Sequence, residues 1–208
     1  MELTEKVLKK LQMEQRKWFI GKNKKLKQNR PILNTIHFSK EGNVELTNSH
    51  VAIRLTKVHE EPEHTIPDTD GDSYPDLGRI FEGCQHGNIK LEFNPKELSN
   101  MLSPFKVAKA EVVRMVFSKT GITIEPAYHS SDPVDEEQVM IDATLTIDLD
   151  IEEDFKIGVN TKYMLDAMNF FKTQKITTVK MIASSSVRPM LFEFENLQYL
   201  VTPVRIGE

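Results

Sequence analysis

The sequence predicts an α+β fold built on antiparallel sheets. Three observations point there. Strand patterns outnumber helix patterns, and most neighbouring strands are joined by short hairpin turns. From residue 88 onward the order is strand, helix, hairpin, strand, helix, then three strands. That order reads as one helix-plus-sheet unit used twice, with a further helix and sheet ahead of it.

Taken in order, Leu3, Val7, Leu8 and Leu11 fall at helical spacing and predict a first helix over residues 3–15. A basic, asparagine-containing loop runs to Arg30. ILNTIHF and NVELTNSHVAIRLTKV then read as strands, with Lys40, Glu41 and Gly42 turning between them. Residues 59–73, with two prolines, a glycine and many acidic side chains, read as a loop or linker. NIKLEF is a short strand. It leads into NPKELSNMLSPFKVA, where Asn94 is the expected N-cap, Pro95 the first helical residue and Glu97 the third. VVRMVFSKTGITIEP is a hairpin turning over residues 119–121. ATLTIDLDIE alternates as a strand with one wet face. FKIGVN leads into a helix over TKYMLDAMNFFKT, and TTVKMIAS, PMLFEFEN and LQYLVTPVRI close the chain as strands.

With 208 residues, 39% hydrophobic and 28% charged, the chain has the composition of an ordinary folded protein. Its net charge of −4 makes no general case for nucleic acid, but the charge is segregated. Residues 16–30 hold seven basic side chains and no acidic one, and residues 132–154 hold ten acidic and no basic one. A lone cysteine, Cys84, cannot make an internal disulfide, which suits a reducing compartment. No apolar run reaches the roughly 20 residues a membrane span needs, and the first residues read as an amphipathic helix, not a signal peptide. The expectation is a cytoplasmic protein with no membrane partner.

Apparent catalytic signals dissolve on inspection. HEEPEH, residues 59–64, has its histidines five apart and a proline between them, so they do not share a helix face as a zinc pair does. In DTDGDS, residues 68–73, the glycine comes too early for a calcium loop, and Arg79 stands where a bidentate glutamate belongs. Cys84 is followed by Gln85 and His86, but adjacent residues rarely pair as nucleophile and base. No glycine-rich phosphate loop occurs. The expectation is no enzyme, no metal and no cofactor.

Several segments together resemble the bacterial β sliding clamp family, the processivity subunit of DNA polymerase III. FKIGVNTKYMLDAMNFF is similar to the clamp's asparagine followed by tyrosine-leucine-aspartate on its last helix. YLVTPVRI resembles its C-terminal strand, SYPDLGRIF its boundary between second and third domains, and LTNSHVAI its threonine, aspartate, glycine, histidine run. Asn48, Ser49 and Val51 depart from that last motif. The resemblance implies sliding-clamp-like repeats of a helix packed on antiparallel sheet. It makes residues 83–208 a complete third domain, and residues 1–82 the first half of a second domain plus linker. The resemblance implies a shortened, divergent relative, for which a phage or plasmid origin is one expectation.

The resemblance also implies function: sequence-independent association with double-stranded DNA, docking of short peptides from polymerases or repair proteins, and assembly into a homo-oligomer. The implied peptide groove takes Leu200, Val201, Pro203, Val204, Arg205 and Ile206 as one wall, Pro75, Arg79 and Ile80 from the linker, and Thr47, Ser49 and His50 opposite. An apolar groove with a polar rim suits an extended peptide carrying a few apolar anchors. DNA contacts are implied for Lys9, Lys10, Arg16 and Lys17 on the first helix, and for Lys22, Lys24, Lys25 and Lys27 beyond it. Lys106, Lys109, Lys172 and Lys175 on the later helices join them. The plainer readings are a packing strand at the C-terminus and a solvated basic loop. The competing function is a non-encircling clamp mimic or adaptor that binds replication proteins and modulates the host machinery.

Overall fold

The computed structural model describes residues 1–19, 30–68, 73–127, 141–146, 149, 151 and 153–206. The chain divides into two compact units, Met1–Glu82 with Glu193–Leu200, and Gly83–Phe192 with Val201–Glu208.

The first unit contains helix α1 (Glu5–Phe19), a 3-10 turn (Pro31–Asn34), strands β1 (Ile36–Phe38), β2 (Val44–Thr47), β3 (Val51–Leu55) and β4 (His64–Ile66), and helix α2 (Leu77–Cys84), whose last turn crosses the division. Strands β1 and β2, β2 and β3, and β1 and β4 pair antiparallel. The register sets His37 opposite Glu45, Glu45 opposite Arg54, and His37 opposite Thr65. Every residue of β1, β2 and β3 is buried, the polar ones included. Leu11 faces the core from α1, and the Gln15 amide donates to the Leu33 carbonyl (3.0 Å) and the Thr35 carbonyl (2.6 Å). Trp18 packs against Ile32 and Leu33 and meets the Tyr199 ring edge-on at 6.4 Å.

The second unit holds β5 (Ile89–Phe93), α3 (Pro95–Val107), β6 (Val112–Ser118), β7 (Gly121–Ala127), β8 (Ala143–Thr146), β9 (Phe155–Asn160), α4 (Thr161–Thr173), β10 (Val179–Ala183) and the start of β11 (Met190–Phe194), which crosses the division after Phe192. β12 (Leu197–Val201) lies mostly in the first unit, and β13 (Pro203–Val204) returns to the second. One sheet has the order β13-β9-β6-β7-β8, and β10 pairs with β5 in another. α3 and α4 pack side by side, burying Leu98, Leu102 and Phe105 of one and Met164, Leu165, Met168 and Phe171 of the other. Lys172 donates to the Ser99 hydroxyl at 3.2 Å across this pair.

Both long helices of this unit start and stop by the same device. The Asn94 side chain accepts from Lys96 N, and the Asn160 side chain from Tyr163 N. At the far ends, Ala110 N reaches back to the Phe105 carbonyl (2.9 Å) and Ile176 N to the Phe171 carbonyl (3.2 Å). Lys109 and Lys175 stand between in left-handed backbone, the Schellman arrangement.

Five expectations are corrected. Pro31–Asn34 form a 3-10 turn instead of strand, because Pro31 offers no N–H and the Leu33 carbonyl is taken by Gln15. Residues 44–58 hold two strands, not one. Asn48 Oδ1 accepts from His50 N and Val51 N, and Ser49 sits at φ 76°, which turns the chain between them. The acidic loop contains β4, which covers the outer edge of β1. Arg79 and Ile80, expected on the linker, lie on helix α2, entered through Asp76, whose carboxylate accepts from Arg79 N at 3.1 Å. The closing segment also splits at Pro203 into β12 and β13.

Candidate functional site

The implied groove residues fall in both units. In the first, Thr47, Ser49 and His50 form the β2–β3 turn. Thr47 is buried, its hydroxyl donating to the Val51 carbonyl at 2.7 Å, whereas Ser49 and His50 are exposed. Pro75 is half-buried ahead of α2, and α2 itself presents Arg79 and Ile80 outward, Ile80 being 43% exposed. Leu200 is 2% exposed on β12. In the second unit Val201 is fully buried, while Pro203, Val204 and Ile206 are half-buried and Arg205 is exposed. Leu200 and Val201 are therefore core side chains in this conformation. The surface-accessible members of the set are Ser49, His50, Pro75, Arg79, Ile80, Pro203, Val204, Arg205 and Ile206.

The C-terminal segment is held closely within its unit. Pro203 pairs with Val159 and Val204 with Gly158. A Cβ at Gly158 would collide with the Ile206 side chain and the Val204 carbonyl, so glycine is the residue that lets β13 lie this near β9.

Among the basic candidates, Lys9 is exposed and ion-paired to Glu5 at 2.6 Å, and Lys17 is ion-paired to Glu14 at 2.7 Å. Arg16 is exposed and Lys10 half-buried on the same helix. Lys22, Lys24, Lys25 and Lys27 lie outside the described residues, as does most of the acidic stretch 132–154. Lys106 and Lys109 at the end of α3 match Lys172 and Lys175 at the end of α4, at the constant offset that also relates Asn94 to Asn160. Lys106, Lys109 and Lys175 are exposed, and Lys172 is half-buried against Ser99 and Asn169. The repeat thus sets two pairs of ammonium groups at equivalent helix ends, where cations also complement the helix dipole.

A buried polar row in the first unit was not anticipated. Arg54 Nε donates to Glu45 Oε1 at 2.7 Å, and Nη2, 2.6 Å from the same oxygen, adds charge but not a well-directed hydrogen bond. Glu45 Oε2 meets His37 Nδ1 at 3.2 Å, and His37 Nε2 meets Glu63 Oε1 at 3.0 Å. The Arg54 guanidinium lies 4.2 Å above the Phe81 ring of α2. Tyr74 stacks on His37 with centroids 4.5 Å apart, and burial, aided by the charge of Glu45, pushes its phenol pKa up. The alternation of VELT and VAIRL does carry Glu45 and Arg54 at strand positions, and two opposite charges inside adjacent apolar strands were the available signal. Beside the row, a cavity of about 260 Å³ is lined by His37, Glu63, His64, Asp68 and Tyr74 among others. No set of three or more His, Cys, Asp or Glu side chains among the described residues is placed to hold a metal ion. Among the same residues, no helix is long and apolar enough to cross a membrane.

Comparison with known proteins matches this geometry to one family. Residues 85–205 match the family model of the DNA polymerase III beta subunit, C-terminal domain. No curated protein sequence matches the chain. Among solved structures, the Helicobacter pylori beta clamp bound to a DNA ligase peptide superimposes with a TM-score of 0.70 at 15% identity, covering 99% of this chain and 65% of that one. The DNA polymerase III subunit beta of Bartonella birtlesii bound to griselimycin gives 0.73 at 15% identity, covering 98% and 65%. The beta subunit of Streptococcus pyogenes gives 0.69 at 19% identity, covering 98% and 65%. The chain thus spans about 65% of the length of these clamps, and at such identity their likeness is one of fold. The family match extends over more than half of the sequence, and the protein is a divergent member of the DNA polymerase III beta subunit family, the bacterial sliding clamps.

Proposed function

We propose that the protein acts as a sliding-clamp-like factor of DNA replication, associating with double-stranded DNA without reading sequence and docking short peptides of polymerases or repair proteins. The observation that carries this reading is the family match over residues 85–205, on a fold shared with clamps across nearly the whole chain. In this reading residues 83–208 act as a complete clamp domain and residues 1–82 as the first half of another. The protein works in the cytoplasm as a homo-oligomer and carries out no catalysis.

Two sets of residues support it. Lys106, Lys109, Lys172 and Lys175 lie at matching helix ends, and such cations meet phosphates and release counterions whatever the base sequence. In the first unit Ile80 is exposed next to Arg79, and in the second Pro203, Val204 and Ile206 are half-buried next to Arg205; apolar side chains beside an arginine are of the kind that anchors an extended peptide. The Helicobacter pylori clamp, which this chain resembles in fold, was crystallised with a DNA ligase peptide.

The test has two arms. A fluorescent clamp-binding peptide is titrated with the wild type, Ile80→Asp and Ile206→Asp, and each variant is expected to weaken binding at least tenfold, about 1.4 kcal/mol. Binding to a random-sequence duplex is followed across a salt series, and changing the four lysines to glutamate is expected to flatten the salt dependence. Peptide affinity indifferent to both aspartates removes the groove, and DNA association indifferent to the four glutamates removes the lysine face. A peptide-binding protein that never associates with DNA is the non-encircling adaptor instead.

A further inference from the structure

We propose that His37 is a proton-operated latch on the edge strand of the first unit: as imidazolium it bridges Glu45 and Glu63 and pins the segment entering β4, and on losing its proton it lets that segment go. This rests on the first unit alone and stands whether or not the clamp reading holds.

The argument is one of donors and acceptors. Both ring nitrogens of His37 face carboxylate oxygens, Glu45 at 3.2 Å and Glu63 at 3.0 Å. An ionised carboxylate only accepts hydrogen bonds, and a neutral imidazole has a single N–H. The imidazolium satisfies both contacts. The neutral ring sets a lone pair against an oxygen at one of them.

The contact that fails is the one to Glu63. Glu45 is 4% exposed, stands directly opposite both His37 and Arg54 in the sheet, and shares its other oxygen with Arg54. It has nowhere to move. Glu63 is 57% exposed and free to swing into water. Tyr74 stacks on the ring's face with the planes 19° apart, which opposes its turning away. What Glu63 leads into is a short, partly buried strand at the sheet edge. β4 is the three-residue edge strand, its sheet neighbour is β1, and its burial is partial. Short edge segments open at low free-energy cost.

The charges around the ring agree in sign. Glu45 approaches from β2 and Glu63 from the segment before β4. Glu41, flanked by Lys40, lies on the β1–β2 turn, and Asp68 lines the same cavity. Arg54 on β3 opposes them, but Glu45 stands between it and the ring. His64 on β4 stacks on Phe38 and pairs weakly with Glu61 at 3.5 Å. For His37, burial is the largest single influence and lowers the pKa. Hydrogen bonding to Glu45 and Glu63 and their Coulombic pull together outweigh it, so the pKa is raised above its ordinary 6.5. With the folded pKa raised, the latch contributes fully below about pH 6.5 and is lost as pH rises through the folded-state value.

The test is amide hydrogen exchange at residues 64–66, corrected for the intrinsic pH dependence of exchange, alongside NMR titration of the His37 ring. Protection at β4 is expected to fall severalfold across the His37 titration while the β2 and β3 amides stay protected. Glu63→Gln, an exposed change that leaves the core alone, is expected to abolish the step and lower the His37 pKa. His64→Gln is expected to retain it. Level protection at 64–66 through the His37 titration overturns the latch. So does a step that persists in Glu63→Gln, or one that vanishes in His64→Gln.

Discussion

Lys109 and Lys175 adopt the same left-handed backbone, φ 59° and φ 62°, at the same position past the ends of α3 and α4. A lysine there bears the steric cost that glycine avoids, since left-handed backbone brings its Cβ against the chain. Each sits inside a two-bond cap, with Lys109 N on the Lys106 carbonyl and Lys175 N on the Lys172 carbonyl closing the inner bond. The same structural solution, with the same charged residue, therefore occurs twice.

Lys109→Gly and Lys175→Gly are each expected to stabilise the fold. Left-handed lysine costs about 1–2 kcal/mol, and glycine's greater freedom in the unfolded chain returns part of that, leaving a gain of about 0.5–1 kcal/mol. Thermal unfolding should rise by about 1–4 °C per substitution. If these lysines meet phosphate, the same variants bind duplex DNA more weakly, so stability and binding move in opposite directions.

Asn160→Ala removes the side chain that receives Tyr163 N at 3.2 Å. The loss should be about 1 kcal/mol, with Asn160→Ser retaining most of the stability. Urea unfolding of the three proteins measures it.

Gly158→Ala drives a methyl group into Ile206 and the Val204 carbonyl. The cost is expected at about 1–3 kcal/mol. Rapid proteolysis of the last residues, with α4 still protected, is the signature to look for. A variant as resistant as the wild type would mean that β13 is not held by this close approach.

Arg54→Leu leaves Glu45, 4% exposed on its side chain, without its strongest partner. Removing one member of a buried ion pair typically costs about 3–5 kcal/mol. The penalty, measured by urea unfolding, should be smaller at low pH, where protonated His37 still neutralises Glu45, and larger above the raised His37 pKa.

Cys84 is 5% exposed, and burial pushes its thiol pKa up despite the opposing charge of Arg188. Reaction with a thiol reagent near neutral pH should therefore be slow and should accelerate when urea opens the fold. Immediate labelling in buffer would show that α2 opens readily in the native state.

The sequence was most readable where one local rule decided the outcome. Asn94 and Asn160 announce helix starts because a short acceptor before an amphipathic run has few other uses. The hairpin of β6 and β7 follows from alternation on both sides of a glycine turn. Reading failed where a distant partner chose the conformation. Ile32 and Leu33 look like strand, but Gln15, far away on α1, takes a carbonyl there. His64–Ile66 become a strand only because β1 presents an open edge. At the implied groove the pattern of apolar residues was legible, but not which of them face water. Leu200 and Val201 lie in the core, and Ile80 emerges on a helix where a linker was expected.

The matched boundaries of α3 and α4 make the two helices interchangeable parts. An asparagine fixes where each begins, and a left-handed lysine fixes where each ends. Between those punctuation marks the two helices share little sequence, PKELSNMLSPFKV against TKYMLDAMNFFKT, yet each buries an apolar face. Two helices of unlike sequence can then keep the same length of 13 residues. A cassette exchanged between the two positions would arrive with its start and stop signals intact.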